Sequence, residues 1–283
     1  MNGVEILKKE ELAPQIKRFT VSAPLIAQKA NVGQFIILRV DEKGERFPLT
    51  LIDWNPDKGT ITLVFQEVGV STKKLGKLEV GDRILDIVGP LGNPAEIKKY
   101  GEAVVVGGGV GVAPAYPRIK ALKKVGNRVI SIIGAKTSKL LILEKEIEAI
   151  SDELYVSTDD GSKGFKGFTS EVLKGLLNQG RKFDFVFTVG PAVMMRTVAE
   201  VTRPYGIETV ASLNPIMVDG TGMCGTCRIT VKGETKFTCV DGPEFDAHSV
   251  DFAELIARQQ TYLEEELRAV RVHEGKVCSA ADA

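Results

Sequence analysis

Charge of one sign is missing from this sequence: Lys and Arg number 37, and Asp and Glu number 37. No global field therefore favours nucleic acid or an anionic membrane as a partner. Long apolar runs are missing too, and none approaches the length that spans a bilayer. The stretch from Met1 to Lys9 lacks the pattern of a signal peptide, so the expected compartment is the cytoplasm. Cysteine is scarce, at four residues, and three of them fall within a window of sixteen. That distribution excludes a disulfide framework and points to metal binding in a reducing compartment. Internal repeats and low-complexity segments are absent. What remains, 43% hydrophobic and 26% charged residues over 283 positions, describes a globular chain with room for two domains and an appendage.

The clustered cysteines are Cys224, Cys227 and Cys239, with Asp219 five positions before the first. Two cysteines separated by two residues can place both sulfurs on one metal centre. Gly220, Gly222 and Gly225 allow the backbone to turn back and aim N–H groups inward at sulfur. Plant-type [2Fe–2S] sites space their ligands as Cys, four residues, Cys, two residues, Cys and a distant Cys. That spacing is kept here, with Asp219 where the first Cys would stand. The pattern reads as a [2Fe–2S] site with three thiolates and one carboxylate. Three alternatives stay open on spacing alone. Zinc could use the three cysteines with His248; Cys278 could replace Asp219; or the thiols could be buried and structural.

From Val4 to about Val88 the chain reads as short strands: Lys17–Ser22, Gln34–Val40, Phe47–Ile52, Thr60–Gln66 and Arg83–Val88. Turn signals between them indicate an antiparallel barrel or sandwich. The character changes at Glu102. Ala103–Val106 is a continuous apolar run, as for a strand covered on both faces. It feeds the glycine-rich stretch Gly107–Gly111 and a helical pattern through Leu122. Strands are expected at Arg128–Ile133, Glu153–Ser157 and Phe183–Val189, and helices around Leu140–Ile150 and Thr169–Leu177. That alternation makes a parallel α/β sheet, with a boundary near Lys98–Gly101. Phe252, Leu255, Ile256, Leu263 and Leu267 then share one face of a helix over Asp251–Val270. Asp251 and Glu254 occupy capping-box positions, and the face is expected to pack on its own chain, with a partner-binding helix as the alternative.

Strand, glycine-rich turn and helix together bind a pyrophosphate, because glycines admit the ligand and the helix N-terminus offers free N–H donors. Gly107, Gly108, Gly109, Val110 and Gly111 fit this, followed by Ala113 and Pro114 in the first helical turn. The strict dinucleotide fingerprint is not met, since no acidic residue stands where a ribose ligand is expected. Gly190 and Pro191 form a second turn at a strand's C-terminal end, ahead of Met194 and Met195. Open α/β sheets bind ligands along that edge, although two methionines on a helix are more often core.

These residues carry a resemblance. The chain resembles the ferredoxin–NADP reductase-like flavoproteins, in the branch with a C-terminal [2Fe–2S] loop. Arg46, Phe47, Pro48, Leu49 and Thr50 resemble that family's Arg-x-Pro-x-Ser/Thr flavin signature. Gly69, Ser71 and Thr72 resemble its pyrophosphate-binding partner, and Gly89–Gly92 the turn that closes the flavin barrel. Gly107–Pro114 and Gly190–Met195 resemble the nicotinamide-dinucleotide motifs, and Thr158–Ser162, with Asp159, a segment between them. The resemblance implies an FAD-binding β-barrel over 1–98, an NAD(P)-binding α/β domain over 99–215, and a [2Fe–2S] loop with a C-terminal helix over 216–283. Within the branch, electron-transfer subunits of dihydroorotate dehydrogenase carry four cysteines at the cluster. Small subunits of NADH-dependent ferredoxin:NADP oxidoreductase, also described as sulfide dehydrogenase beta subunits, carry one Asp and three Cys. Asp219, Cys224, Cys227 and Cys239 match the second pattern.

The resemblance implies FAD, a [2Fe–2S] cluster and NAD(H) as substrate, with the chemistry belonging to the cofactors and no side-chain acid or base. Hydride would pass between nicotinamide and flavin, and single electrons between flavin and cluster. A larger flavin and iron–sulfur subunit would supply the second substrate site, linking the chain indirectly to ferredoxin and NADP(H). Electron bifurcation is implied by the resemblance alone. NAD(H) is favoured over NADP(H), because no Arg closely follows Gly134 and Asp159 and Asp160 would repel a 2′-phosphate, although Lys136 could meet one. The rivals are a subunit serving dihydroorotate oxidation, a hydrogenase or a sulfide dehydrogenase and, from another class, a zinc-stabilised binding module.

Overall fold

A computed structural model describes residues 3–275. The first seven strands are β1 Val4–Ala13, β2 Ile16–Ser22, β3 Phe35–Arg39, β4 Arg46–Asn55, β5 Thr60–Gln66, β6 Arg83–Ile84 and β7 Asp86–Leu91. They form one antiparallel sheet in the order β6-β1-β2-β5-β4-β3-β7. The two edge strands, β6 and β7, are separated by Leu85 alone, and the Leu85 N–H donates to the Val40 carbonyl. One continuous segment thus pairs with both ends of the sheet and curls it into a near-closed barrel, which hides the edges. The single strand expected over Arg83–Val88 is this segment, bent in the middle. Phe19, Leu38, Leu51, Leu63 and Phe65 fill the interior. Two helices belong to this half: α1 Pro24–Ala27 and α2 Val70–Lys77.

The second sheet contains β8 Glu102–Gly108, β9 Arg128–Ala135, β10 Glu153–Thr158, β11 Phe165–Lys166, β12 Phe185–Val189 and β13 Glu208–Ser212. All six run parallel. The order is β11-β10-β9-β8-β12-β13, so the chain winds outward from β8 in one direction and then in the other. Between β8 and β12 lies the switch point where such sheets open a crevice. Val104, Val105 and Val106 are buried, with helices α3 Val112–Lys124 and α5 Thr169–Asn178 on opposite faces. Helix α6 Ala192–Thr202 follows β12. The helix expected around Leu140–Ile150 shrinks to α4 Glu144–Glu148. Leu143 before it is left-handed at φ 54°, a conformation that cannot lie inside a right-handed helix.

The cysteine segment is a strand-out, strand-back excursion from the edge of this second sheet. After β13 the chain leaves at Leu213, and it returns through Pro243 into β16 Glu244–Asp246, which pairs antiparallel with β13. The Leu213 N–H donates to the Pro243 carbonyl and closes the base. Within the excursion are β14 Arg228–Val231, β15 Glu234–Phe237 and the turn of helix α7 Thr238–Asp241. The expected single C-terminal helix is two: α8 Phe252–Gln259 and α9 Leu263–His273. Asp251 caps α8 by accepting from the Glu254 N–H, as its position predicted, but the Glu254 carboxylate reaches the Thr230 N–H instead of closing the box. The break follows from Thr261, whose hydroxyl donates to the Arg258 carbonyl and satisfies the end of α8 locally. Phe252 and Leu255 are buried as expected. Leu263 and Leu267 are not: α9 lies along α2, tied by Lys73 to Glu274, and leaves both leucines about half exposed.

Candidate redox site

The flavin-type signature forms the start of β4. Thr50 pairs with Phe35, Leu49 with Ile36, Pro48 with Ile37, Phe47 with Leu38 and Arg46 with Arg39, so β3 holds the whole motif by backbone bonds. Arg46 is exposed, and no carboxylate pairs with it among the described residues. Beside it stands the N-terminus of α2. There the Thr72 hydroxyl accepts from the Val68 and Gly69 N–H groups, and the Ser71 hydroxyl donates to Glu45 across to the start of β4. A side chain at Gly69 would meet nothing within 4 Å. A free guanidinium, a helix N-terminus and open space over a glycine fit a pyrophosphate. Helix α9 approaches the same corner. Burial, reinforced by the negative charges of Glu45 and Glu265, raises the Glu266 carboxyl.

At the switch point the two glycine turns interlock, and the glycines divide into two kinds. A methyl group at Gly111 would stand 2.6 Å from the Val189 carbonyl oxygen and 2.7 Å from the Gly190 Cα. One at Gly108 would strike Met194, and one at Gly190 would come within 2.9 Å of the Gly108 carbonyl oxygen. Gly111 and Gly190 are glycine because two backbones touch there, and Gly108 because the Met194 side chain covers it. Gly109 differs: it is left-handed, at φ 58°, and faces open space. Val110 and Pro114 are half-buried, whereas Ala113 and Met195 have no exposed surface and offer no side chain to a ligand. Asp159 lies at the same C-terminal edge, two strands away, with its N–H on the Ala135 carbonyl. Replacing Gly111 by Val is expected to force the turns apart. Overpacking of this kind costs about 1–3 kcal/mol, so dinucleotide affinity should fall roughly tenfold or more, while flavin absorbance stays unchanged. Stopped-flow flavin reduction against NADH concentration measures it.

The four proposed cluster ligands fall into two pairs. Asp219 and Cys224 are one: the Asp219 carboxylate accepts from the N–H groups of Thr221 at 3.1 Å, Met223 at 3.0 Å and Cys224 at 3.0 Å. Partial burial opposes its charge, but the bonds from Thr221 and Cys224 outweigh that and hold it below the usual carboxylate range. Cys224 behaves alike: burial would raise the thiol, and bonds from Thr226 bring it below its usual value. Cys227 and Cys239 are the other pair, both buried, with the Cys239 N–H directed at the Cys227 sulfur at 3.4 Å. Burial first, then the neighbouring sulfur, pushes the Cys239 thiol up to about 12. A bound cation reverses that preference by deprotonating a coordinating thiol.

Two ligands per iron is what a [2Fe–2S] centre requires. A structural zinc site needs four ligands around one point, so the three cysteines would need a fourth. His248 turns its ring to the Thr202 hydroxyl at 2.9 Å, under α6. Cys278 lies outside the described residues. The Thr238 hydroxyl, next to Cys239, is buried without a hydrogen-bond partner. Cluster sulfur would supply one. The donor set fits an iron–sulfur cluster.

What joins the sites is β3. Phe35 and Ile37 pair through their backbones with Thr50 and Pro48, and their side chains pack with Met217, Cys227 and Cys239. Gly220 of the ligand loop approaches Ile37 and Leu91 so closely that a methyl there would stand 2.9 and 2.7 Å from them. Asn93, after β7, binds the Gly242 and Val240 carbonyls and fixes the loop to the barrel. β3 thus stands between the flavin segment, its neighbour in the sheet, and the cysteine loop packed on its side chains.

Residues 3–95 match the oxidoreductase FAD-binding domain, and residues 214–251 the iron–sulfur cluster binding domain of dihydroorotate dehydrogenase B. A Thermotoga maritima homologue of the dihydroorotate dehydrogenase B (NAD(+)) electron transfer subunit is 48% identical over 93% of this chain and 92% of its own. The chain belongs to this family of FAD-binding, iron–sulfur oxidoreductases. The Geobacillus thermodenitrificans electron transfer subunit is a more distant member, 34% identical over 87% of this chain and 96% of its own. A chain of the NADH-dependent reduced ferredoxin–NADP oxidoreductase structure, described for flavin-based electron bifurcation, is 45% identical. It covers 97% of this chain and 98% of that one at a TM-score of 0.91. Phthalate dioxygenase reductase shares the fold at 16% identity. No helix among the described residues is long and apolar enough to cross a membrane.

Arg118 and Glu244 form a buried pair between the sites that the motifs did not reveal. Arg118 on α3 is 1% exposed, and its Nη1 donates to Glu244 on β16 at 2.9 Å. The guanidinium also lies over the rings of Phe185 and Phe187. Glu244 approaches Gly33 of the barrel, so one buried pair touches the barrel, the nucleotide-type sheet and the cysteine excursion. A signal was present: Arg118 falls on the same helical stripe as Ala115, Ile119 and Leu122, all buried.

Proposed function

We propose that this chain is the FAD- and [2Fe–2S]-binding subunit of a heterodimeric NADH-dependent ferredoxin:NADP oxidoreductase. It exchanges hydride with NAD(H) and passes single electrons to a larger subunit. When bound, FAD interconverts hydride and single electrons, and a [2Fe–2S] cluster carries those electrons one at a time. Arg46 and the N–H groups at the start of α2 hold the flavin pyrophosphate, and the β4 backbone from Pro48 to Thr50 holds the ring. Gly107–Gly111 and Gly190–Pro191 seat the dinucleotide at the switch point. Asp219, Cys224, Cys227 and Cys239 would hold the cluster. The observation that carries this reading is the shared strand, since β3 backs the flavin segment and packs against two of the cysteines.

Asp219 in place of a fourth cysteine favours this partner over a dihydroorotate-oxidising one. Asp159 and Asp160, at the sheet edge beside Ala135 and Lys136, favour NAD(H) over NADP(H). The test is anaerobic expression with the native neighbouring subunits, followed by cofactor analysis of both chains and assay of each substrate pair. The expected outcome is FAD and two irons per copy of this chain, with flavin reduced by NADH faster than by NADPH. Dihydroorotate reduction of the purified complex would transfer the chain to the other reading, and a colourless, iron-free protein would end both.

A further inference from the structure

Beside the ligand loop lies a cavity of about 170 Å³, lined by Ile216, Thr226, Arg228, Arg258, Thr261 and Tyr262. Its lining holds two guanidiniums and no carboxylate. Buried and half-buried arginines elsewhere meet carboxylates, as Arg18, Arg39, Arg118 and Arg181 do. Among the described residues Arg228 and Arg258 have none. Arg258 donates through Nη2 to the Thr226 carbonyl at 3.0 Å, while its Nε is shielded from water with no hydrogen-bond partner. Arg228 reaches only the Gly225 carbonyl, at 3.3 Å. Glu254, one helical turn before Arg258 and its natural partner by spacing, spends its carboxylate on the Thr230 N–H. Two guanidiniums close together without a counter-charge repel each other, and a buried N–H without an acceptor costs free energy. Both defects are removed by one ligand.

We propose that this cavity binds a single oxyanion of phosphate size. Guanidinium forks match phosphate and carboxylate oxygens through paired, charge-assisted hydrogen bonds. Thr226 stands between Cys224 and Cys227, and Arg258 holds its carbonyl, so an occupied cavity steadies the loop that carries both sulfurs. The occupant is a free phosphate-type anion or an acidic side chain of the partner subunit, which presents the same chemistry.

Calorimetric titration of the full chain with inorganic phosphate, at constant ionic strength with chloride as control, tests this. Saturable one-site binding is expected, with a melting temperature that rises with the logarithm of phosphate concentration. Arg228→Met and Arg258→Met should each weaken binding at least tenfold. Arg228 is exposed, so its variant keeps the test valid even where loss of the Arg258 bond loosens the loop. Phosphate should also slow bleaching of the iron–sulfur colour by a chelator in the parent chain and in neither variant. That second measure rests on the iron–sulfur reading, whereas calorimetry does not. Binding retained in the complex identifies the free anion as occupant; binding lost only there identifies the partner's carboxylate. No heat beyond the chloride control, or equal affinity in both variants, overturns the proposal.

Discussion

Truncating Glu244 to alanine is expected to cost the folded chain about 3–5 kcal/mol, because it leaves a buried guanidinium without its counter-charge. Arg118 cannot escape to water: it is 1% exposed, with the rings of Phe185 and Phe187 beneath it. Its Nε already lacks a partner, so losing the Glu244 oxygen removes the bond that neutralises it. Replacing both members by apolar residues of similar volume, Arg118→Met with Glu244→Leu, should recover most of the loss, since a buried ion pair barely outweighs its own desolvation. Urea unfolding of the single and double variants separates the cases. A small loss in Glu244→Ala would mean that water reaches the pair.

Acid dependence follows from the same site. Burial raises the Glu244 carboxyl, against the pull of Arg118. A carboxyl raised in the folded state binds protons more readily there than in the unfolded chain. Its contribution therefore favours folding at low pH and declines as pH rises from the ordinary glutamate value through the raised one. Glu244→Gln should flatten stability across that window. The pair also ties the cysteine excursion to the nucleotide-type sheet. The returning strand is bonded through Arg118 to the helix that leaves the Gly107–Gly111 turn.

What could be read from the sequence was local. Ala103–Val106 announced a strand covered on both faces by its composition, and the glycines after it announced a turn, because both features occupy consecutive positions. The spacing of Asp219, Cys224 and Cys227 did the same for the ligand loop. The division of the glycines into those that meet a neighbour and those that face open space was invisible, since it depends on Val189 and Gly190 about eighty positions away. So was the pairing of Arg118 with Glu244, separated by 126 positions. The return of β16 into the nucleotide-type sheet has no signature of its own, being three residues long and antiparallel at an edge. The C-terminal helix departs from its apolar pattern for a comparable reason. Apolar spacing predicted one face over Asp251–Val270, but the Thr261 hydroxyl bonding back to Arg258 ends the first helix, and the second rests on α2 instead.

Exchanging Asp219 for cysteine is expected to lower the reduction potential of the cluster by on the order of 100 mV, judged from the rise seen when imidazoles replace thiolates on one iron. Thiolate donates more electron density than carboxylate, so the oxidised iron gains more from the exchange than the reduced one. The loop tempers the effect. Three N–H groups, from Thr221, Met223 and Cys224, converge on the Asp219 carboxylate and withdraw density from it. A sulfur at the same position would accept some of those bonds, and hydrogen bonds to sulfur raise the potential. Electron flow should follow: a lower potential makes the cluster a poorer acceptor from reduced flavin, so flavin should remain reduced longer after mixing with NADH. Redox titration followed by electron paramagnetic resonance measures the first quantity, and rapid mixing the second. An unchanged or higher potential in Asp219→Cys would remove the carboxylate from the ligand set. So would an unaltered spectrum in Asp219→Ala, and the fourth position would then pass to a thiol such as Cys278.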